Sequence, residues 1–532
     1  MPVPAPPSPP PHRPIRASRA RRGGLVAALG AAALLAGCSS DGGSPAADVT
    51  LPNLQSTTTT TAPPTEAPEG RDQAPAPEWT VQIGGPGDDV LRALTSSDDL
   101  LVAVGSTTGT VALPTEDPQT PPTSGAPAET GRTQVLVARV ETSGEPRSVG
   151  TTGTDGDDTA NGVSASGEEL IACGATTGQL GAGLGGATDL WCSLLGEGSE
   201  GDEDQLLAGP VQFGGSDAEQ LTGVGGGPED EHSYASGIAG GLLPGAQDPS
   251  RRGLGGGDAI ALQLGPGATP VWARQFGTPF EDGALGVTLS PDGDGILVGY
   301  TDGDLGRPSS GGRDAWITRF DPAGRQRWVT QFGSEGSDVA TAVGTAGEAS
   351  RGTEQFVAVG TTDGELARTG PGSDRLAPDE EPTDPGPGEP GRTSDAFAAA
   401  FGPDGSLAWT TAIGSDASER AAGVVADGAT VYVAGTTDGP LGELMGEAGP
   451  GGGPDGFLAA LDAASGEVLW IARFGSAGDE EVTGITATED GLVVLSGTTT
   501  GQMSTEAPGG GVDGFLIAFP LASAGGGAAS SV

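Results

Sequence analysis

Between residues 338 and 413 the chain runs through four short apolar or alternating segments: 339–345 (VATAVGT), 355–361 (QFVAVGT), 395–401 (DAFAAAF) and 406–413 (SLAWTTAI). Gly, Asp and Pro separate them. Runs of this length bounded by turn residues predict β-strands, and helical periodicity is essentially absent. The same order of four recurs at 420–426, 430–435, 455–461 and 467–474, and at 283–289, 294–300, 314–320 and 325–332. A marker links one unit to the next: WVTQFGSEGSD at 328–338 has relatives beginning at Trp79, Trp272, Trp409 and Trp470, and weaker copies at 148–158 and 211–219, seven in all. One such unit cannot bury its own apolar face, so only a stack of them makes a core.

Four-stranded antiparallel units repeated around an axis are β-propeller blades. The last unit supplies three strands, 482–487, 491–497 and 513–519, while the segment from Trp79 to Ile83 has no blade in front of it. Pairing that segment with the last three leaves no open edge. The chain therefore predicts an all-β, seven-bladed propeller over 78–520 with one-plus-three strand closure.

The ends have a different composition. Arg13, Arg16, Arg19, Arg21 and Arg22 precede an apolar run at 25–36, the pattern of an export signal too short to span a membrane. The run closes in Leu35-Ala36-Gly37-Cys38, which resembles the lipobox of bacterial lipoproteins. That resemblance implies a leader over 1–37, a lipidated Cys38 and a mature protein held at the cell membrane by its lipid alone, facing outside the cytoplasm. Arg21-Arg22 also resembles a twin-arginine signal. Residues 38–77, rich in Ser, Thr and Pro, bury too little apolar surface to fold and predict a disordered tether; 521–532 predict a disordered tail. The formal net charge is −47, with 24 basic residues of which five lie in the leader. That excludes nucleic acid as a partner. Cys173 and Cys192 fall on neighbouring strands of one blade and form either one disulfide, worth about 3 kcal/mol, or two buried thiols.

Gly87-Asp88-Asp89, Gly360-Thr361-Thr362 and Asp395-Ala396-Phe397, echoed by Gly435-Thr436-Thr437 and Asp455-Gly456-Phe457, resemble the bacterial β-propeller repeat (SBBP) family. The resemblance covers about 78–520. It implies an architecture and no particular reaction. Blade 3 departs from it with Ile238-Ala239-Gly240, and blade 1 carries Gln134 where other blades have Asp. Residues 460–470 also resemble a repeat of quinone-dependent dehydrogenase propellers and of outer-membrane assembly lipoproteins, with no quinone ligand assignable.

Candidate chemistry centres on carboxylates. Asp89, Glu219, Asp282, Asp338, Glu419 and Glu480 stand six positions after the terminal Phe or Ile of an outer strand, and Asp158 follows a slightly longer loop. All seven are expected near one mouth of the central channel. Such a ring can hold a calcium-like cation through oxygen ligands, or each acid can accept the amides of its own turn. At about 10 Å in a water-like dielectric, neighbours repel by only about 0.4 kcal/mol, so no metal is needed to hold the ring. His232 is the only histidine after the leader, which leaves little for a triad or an imidazole-ligated metal. Trp272, Trp328, Trp409 and Trp470 occupy matching positions and predict packing between blades, and Trp191 and Trp316 predict burial. Long insertions at 110–132, 241–257, 365–394 and 440–454 all join second to third strands and make one face loop-rich and acidic. The resulting expectation is a non-catalytic binding or scaffold protein for a protein or glycan partner. A propeller enzyme, quinone-dependent or polysaccharide-acting, and a purely structural envelope protein are the alternatives.

Overall fold

A computed structural model describes residues 74–111, 132–180, 187–196, 206–226, 232–243, 245–246, 255–347, 354–366, 393–444, 453–504 and 511–521. The leader, Cys38, nearly all of the tether, the tail from 522 and most of the long insertions lie outside them. The described chain forms seven antiparallel sheets arranged as a seven-bladed propeller. Blade 4 is representative: strands a to d are Asp282–Leu289, Gly295–Thr301, Asp314–Phe320 and Gln326–Phe332, in that spatial order. Blade 7 closes the ring. Its strands Glu480–Ala487, Leu492–Thr499 and Asp513–Pro520 are completed by Trp79–Ile83 from the other end of the chain, with Trp79 opposite Ala518 and Ile83 opposite Gly514. The expected one-plus-three closure is therefore present. Blades 1 and 3, which depart from the repeat, are regular four-stranded sheets. Blade 6 gains a two-residue strand, Glu443–Leu444, parallel to its outer strand.

Side chains on the radial sheets point at neighbouring blades, which is why whole strands are apolar. All seven residues of Asp314–Phe320 are buried, and Trp191 and Trp316 are fully so. Burying one such aromatic contributes about 2–3 kcal/mol. Each indole still needs a partner for its N–H. Trp316 Nε1 donates to the Tyr300 carbonyl at 2.8 Å and Trp191 Nε1 to that of Thr159 at 3.2 Å.

The repeated outer-strand tryptophans lock adjacent blades. Trp79, Trp272, Trp328 and Trp409 each donate Nε1 to a carbonyl in the c–d turn of the following blade: Thr142, Pro322, Pro403 and Ala463, at 3.0–3.1 Å. That turn must pass close beneath the indole. At Gly324 (φ 72°) a Cβ would lie 2.9 Å from Trp272 Cδ2, so both the left-handed backbone and the close approach demand glycine. The Trp and the turn Gly of the repeat are thus two halves of one contact.

Around the channel every innermost strand carries a β-bulge at its fourth residue: Arg92, Asn161, Thr222, Leu285, Thr341, Ala422 and Thr483. Asn161, Thr222 and Thr341 donate across to the next blade's inner strand, at the carbonyls of Leu221, Ala284 and Ala421 (2.7–2.8 Å). Bulges re-aim side chains this way at tightly curved sites. In blade 2, Cys173 lies directly opposite Cys192 and the two are disulfide-bonded, both buried. Among the described residues the only helical element is the 3₁₀ turn Pro266–Ala268.

Candidate functional site

Each outer strand turns through a glycine into the inner strand of the next blade, and all seven predicted acids are the first residue of that inner strand. Each is at most 1% exposed. The backbone explains their position. The acid's own N–H donates to a carbonyl just before strand c of the preceding blade, as in Asp282 to Gly257 (2.8 Å), Asp338 to Arg313 (2.7 Å) and Glu480 to Pro454 (2.8 Å). Its carboxylate folds back on the turn. Asp158, Asp282, Asp338, Glu419 and Glu480 accept the N–H of the residue four positions earlier, Thr154, Thr278, Ser334, Ser415 and Ser476, at 2.6–2.8 Å, together with its hydroxyl. Glu219 has Gly215 there and accepts only an amide, at 2.9 Å. These six acids close their own turns.

At six of the seven junctions a second carboxylate, outside the predicted set, begins strand c of the preceding blade. Strand c begins with Asp189, Asp258, Asp314, Asp395, Asp455 or Asp513, and in blade 1 with Gln134. Asp258 and Asp282 flank Gly277: a Cβ there would lie 3.0 Å from Asp258 Oδ1 and 2.7 Å from Asp282 Oδ2. The same sandwich recurs at Gly214, between Asp189 and Glu219. The signal lies in the recurring Asp-Ala-Phe type of strand start, as at Asp395, but the pairing joins residues as distant as Asp513 and Asp89.

A glutamine on strand d holds the strand-c acid. Gln275 Nε2 donates to Asp258 Oδ2 (2.7 Å) and to the Gly241 carbonyl (2.7 Å), while Oε1 accepts the Leu243 N–H (2.9 Å). Gln331 repeats this with Asp314, Gly303 and Leu305, Gln212 with Asp189, Gly178 and Leu180, and Gln82 with Asp513, Gly501 and Met503. In blade 6 Arg473 stands in its place, with Nη1 3.6 Å from Asp455 Oδ2 and 3.0 Å from the Gly439 carbonyl.

Burial pushes Asp258 up to about 6, and the charge of Asp282 adds to it. Burial likewise pushes Asp89 up to about 6, with Asp513 and Asp88 adding. Glu219, Asp282, Asp338, Asp455, Glu480 and Asp513 are all raised by burial. Desolvation disfavours the charged form, and a like charge alongside compounds it. Among the described residues no group of three or more His, Cys, Asp and Glu side chains is placed to hold a metal ion. His232 sits at the start of strand b of blade 3, with Nε2 3.2 Å from the Gly293 carbonyl, on the face of short a–b turns.

The opposite face carries the b–c connections, which include all the long insertions, beside the d-to-a turns. Residues 112–131, 247–254, 367–392 and 445–452 of those insertions lie outside the described residues. Where the face is described, a cleft of about 520 Å³ opens between the turn after blade 3 and the b–c connection of blade 4. Thr278, Phe280, Asp302, Asp304, Leu305 and Ser309 line it. Phe280 is 58% exposed. Arg313 pairs with Asp302 through Nε (2.7 Å) and Nη2 (3.1 Å) and lies over the Tyr300 ring, which fixes the acidic wall.

No protein-family model matches the chain, and no curated protein matches it. Among solved structures, the Pan2 WD40 domain of Neurospora crassa is 9% identical, with a TM-score of 0.40 over 82% of this chain and 90% of that one. The quinohemoprotein alcohol dehydrogenase of Comamonas testosteroni is 12% identical (TM-score 0.37; 84% and 76%). The acylaminoacyl peptidase of Pyrococcus horikoshii is 11% identical (TM-score 0.39), and this chain, matched over 77% of its length, spans about half of it, 49%.

Proposed function

We propose that this chain is a lipid-anchored, extracytoplasmic propeller that binds a protein or glycan partner on its loop-rich face without catalysing a reaction. The observation that carries the reading is the cleft at blade 4, where the exposed ring of Phe280 stands beside Asp302 and Asp304. An aromatic face next to fixed carboxylates suits a partner that offers C–H faces with hydroxyls, or apolar side chains with cationic groups. The lining contains no histidine or cysteine, which leaves no imidazole-activated nucleophile in the cleft. The anchor rests on Cys38 and its leader; the disulfide between Cys173 and Cys192 agrees with an oxidising compartment.

The test is binding of the full-length chain to arrays of envelope glycans and to purified envelope proteins, with Phe280→Ala alongside. Loss of a rim aromatic is expected to weaken binding about tenfold with little change in melting temperature. Equal binding by the two proteins would remove the cleft from the interface. Turnover of a quinone dye by the wild type would favour the enzymatic alternative.

A further inference from the structure

Three of the seven blade junctions leave carboxylate oxygens buried with no hydrogen-bond partner on both sides. Between blades 3 and 4 these are Asp258 Oδ1 and Asp282 Oδ1; between blades 2 and 3, Asp189 Oδ1 and Glu219 Oε1; between blades 7 and 1, Asp513 Oδ1 and both oxygens of Asp89. None of these six side chains is more than 6% exposed. The other oxygen of each strand-c aspartate is taken by its glutamine, and one oxygen of Asp282 and of Glu219 by its turn. The strand-b hydroxyls of Thr301 and Thr107 stand beside Asp282 and Asp89 but are shared with the Gly303 and Gly109 carbonyls, and blade 3 has Ala239 at this position. Among the described residues no arginine pairs with any of the six.

The remaining junctions show what satisfaction looks like. Between blades 1 and 2, Gln134 replaces the aspartate, and Asp158 accepts Thr154 N–H, Thr154 Oγ1 and Thr176 Oγ1. Between blades 6 and 7, Arg473 approaches Asp455, and Glu480 accepts Ser476 N–H, Ser476 Oγ and Thr499 Oγ1. Between blades 5 and 6, Glu419 accepts Ser415 and Thr437. The junction between blades 4 and 5 is intermediate, with only Asp314 Oδ1 unpartnered.

We propose that the junctions 7/1, 2/3 and 3/4 each bind a divalent cation of the calcium class between the strand-c aspartate and the strand-a acid. Two buried carboxylates facing each other without a counter-charge are costly, and a hard cation with oxygen ligands is the group that fits both. The two side chains supply the charge and the first oxygen ligands, with water able to fill the rest of the shell. The ions would pin the blades at the ring closure and around blade 3, whose turn acid accepts a single amide.

The test uses the full chain, dialysed against chelator or calcium chloride in physiological salt, with metal content by mass spectrometry and melting by calorimetry. About three calcium ions per chain are expected to survive dialysis, and chelation is expected to lower the melting temperature by several degrees. Asp258→Asn and Asp189→Asn should each lose one ion and keep the others. A metal-free wild type whose melting ignores chelator would overturn the proposal. So would an ion count unchanged in both variants, since the ions would then belong to the acidic surface. Melting that ignores chelator but rises as pH falls from 7.5 to 5 would mean that the pairs share a proton instead.

Discussion

The junction between blades 3 and 4 and the junction between blades 1 and 2 share their turn hydrogen bonds and differ in what stands opposite the turn acid. Both begin the inner strand with an aspartate, Asp282 or Asp158, that accepts the N–H and hydroxyl of a threonine four residues earlier. The first places Asp258 and Gln275 opposite that aspartate, where the second has Gln134 and Thr151. Both fold into regular blades. The strand-a acid is therefore what the turn requires, and the strand-c acid is an addition that a blade can do without. An added buried charge that the fold does not require is a better functional marker than the seven-fold ring itself.

The sharpest way to break this comparison is to remove the turn acid from each junction. Asp158→Ala removes the acceptor of three donors and is expected to cost about 3 kcal/mol, whereas Asp282→Ala in chelator is expected to cost about 1 kcal/mol because it also relieves Asp258. Denaturant titration of the two variants measures the gap; equal losses would mean that Asp258 exerts no repulsion.

Exchanging the second position should act in mirror image. Gln134→Glu places a carboxylate beside Asp158 and is expected to destabilise by about 2 kcal/mol. Asp258→Asn removes one while keeping an acceptor for Gln275, and in chelator it is expected to stabilise by about 1 kcal/mol. Thermal melts of both variants decide the sign.

The same repulsion is read without any substitution in the pH dependence. With Asp89 and Asp258 raised to about 6 in the folded protein, from the ordinary 3.8, the metal-free fold binds their protons more tightly than the unfolded chain. Their contribution is fully present below pH about 4 and is lost as pH rises through about 6. Metal-free protein should therefore melt higher at pH 5 than at pH 7.5, by about 1–2 kcal/mol in stability. Asp258→Asn should flatten part of that slope.

Much of this was legible in the amino-acid order. The Trp-to-Asp marker fixes seven units, and the count of strands at each end predicts that Trp79–Ile83 closes blade 7, as it does. The period of the repeat locates Asp89, Asp158, Glu219, Asp282, Asp338, Glu419 and Glu480, because a turn acid belongs to its own few residues and is written locally. The second carboxylate was not legible as a partner. Asp258 and Asp282 are 24 positions apart, and Asp513 and Asp89 meet only because the ring closes. Nor could the order of residues tell which oxygens are satisfied. Thr176 donates to its acid, while Thr301, at the same place in the repeat, is shared between its acid and a loop carbonyl. Local periodicity, set by turn chemistry and alternating burial, determined the blades, their number and the turn acids. Tertiary packing alone brought charges from separate blades around one glycine and took them out of water, since desolvation and hydrogen-bond geometry belong to the assembled ring and to no single repeat.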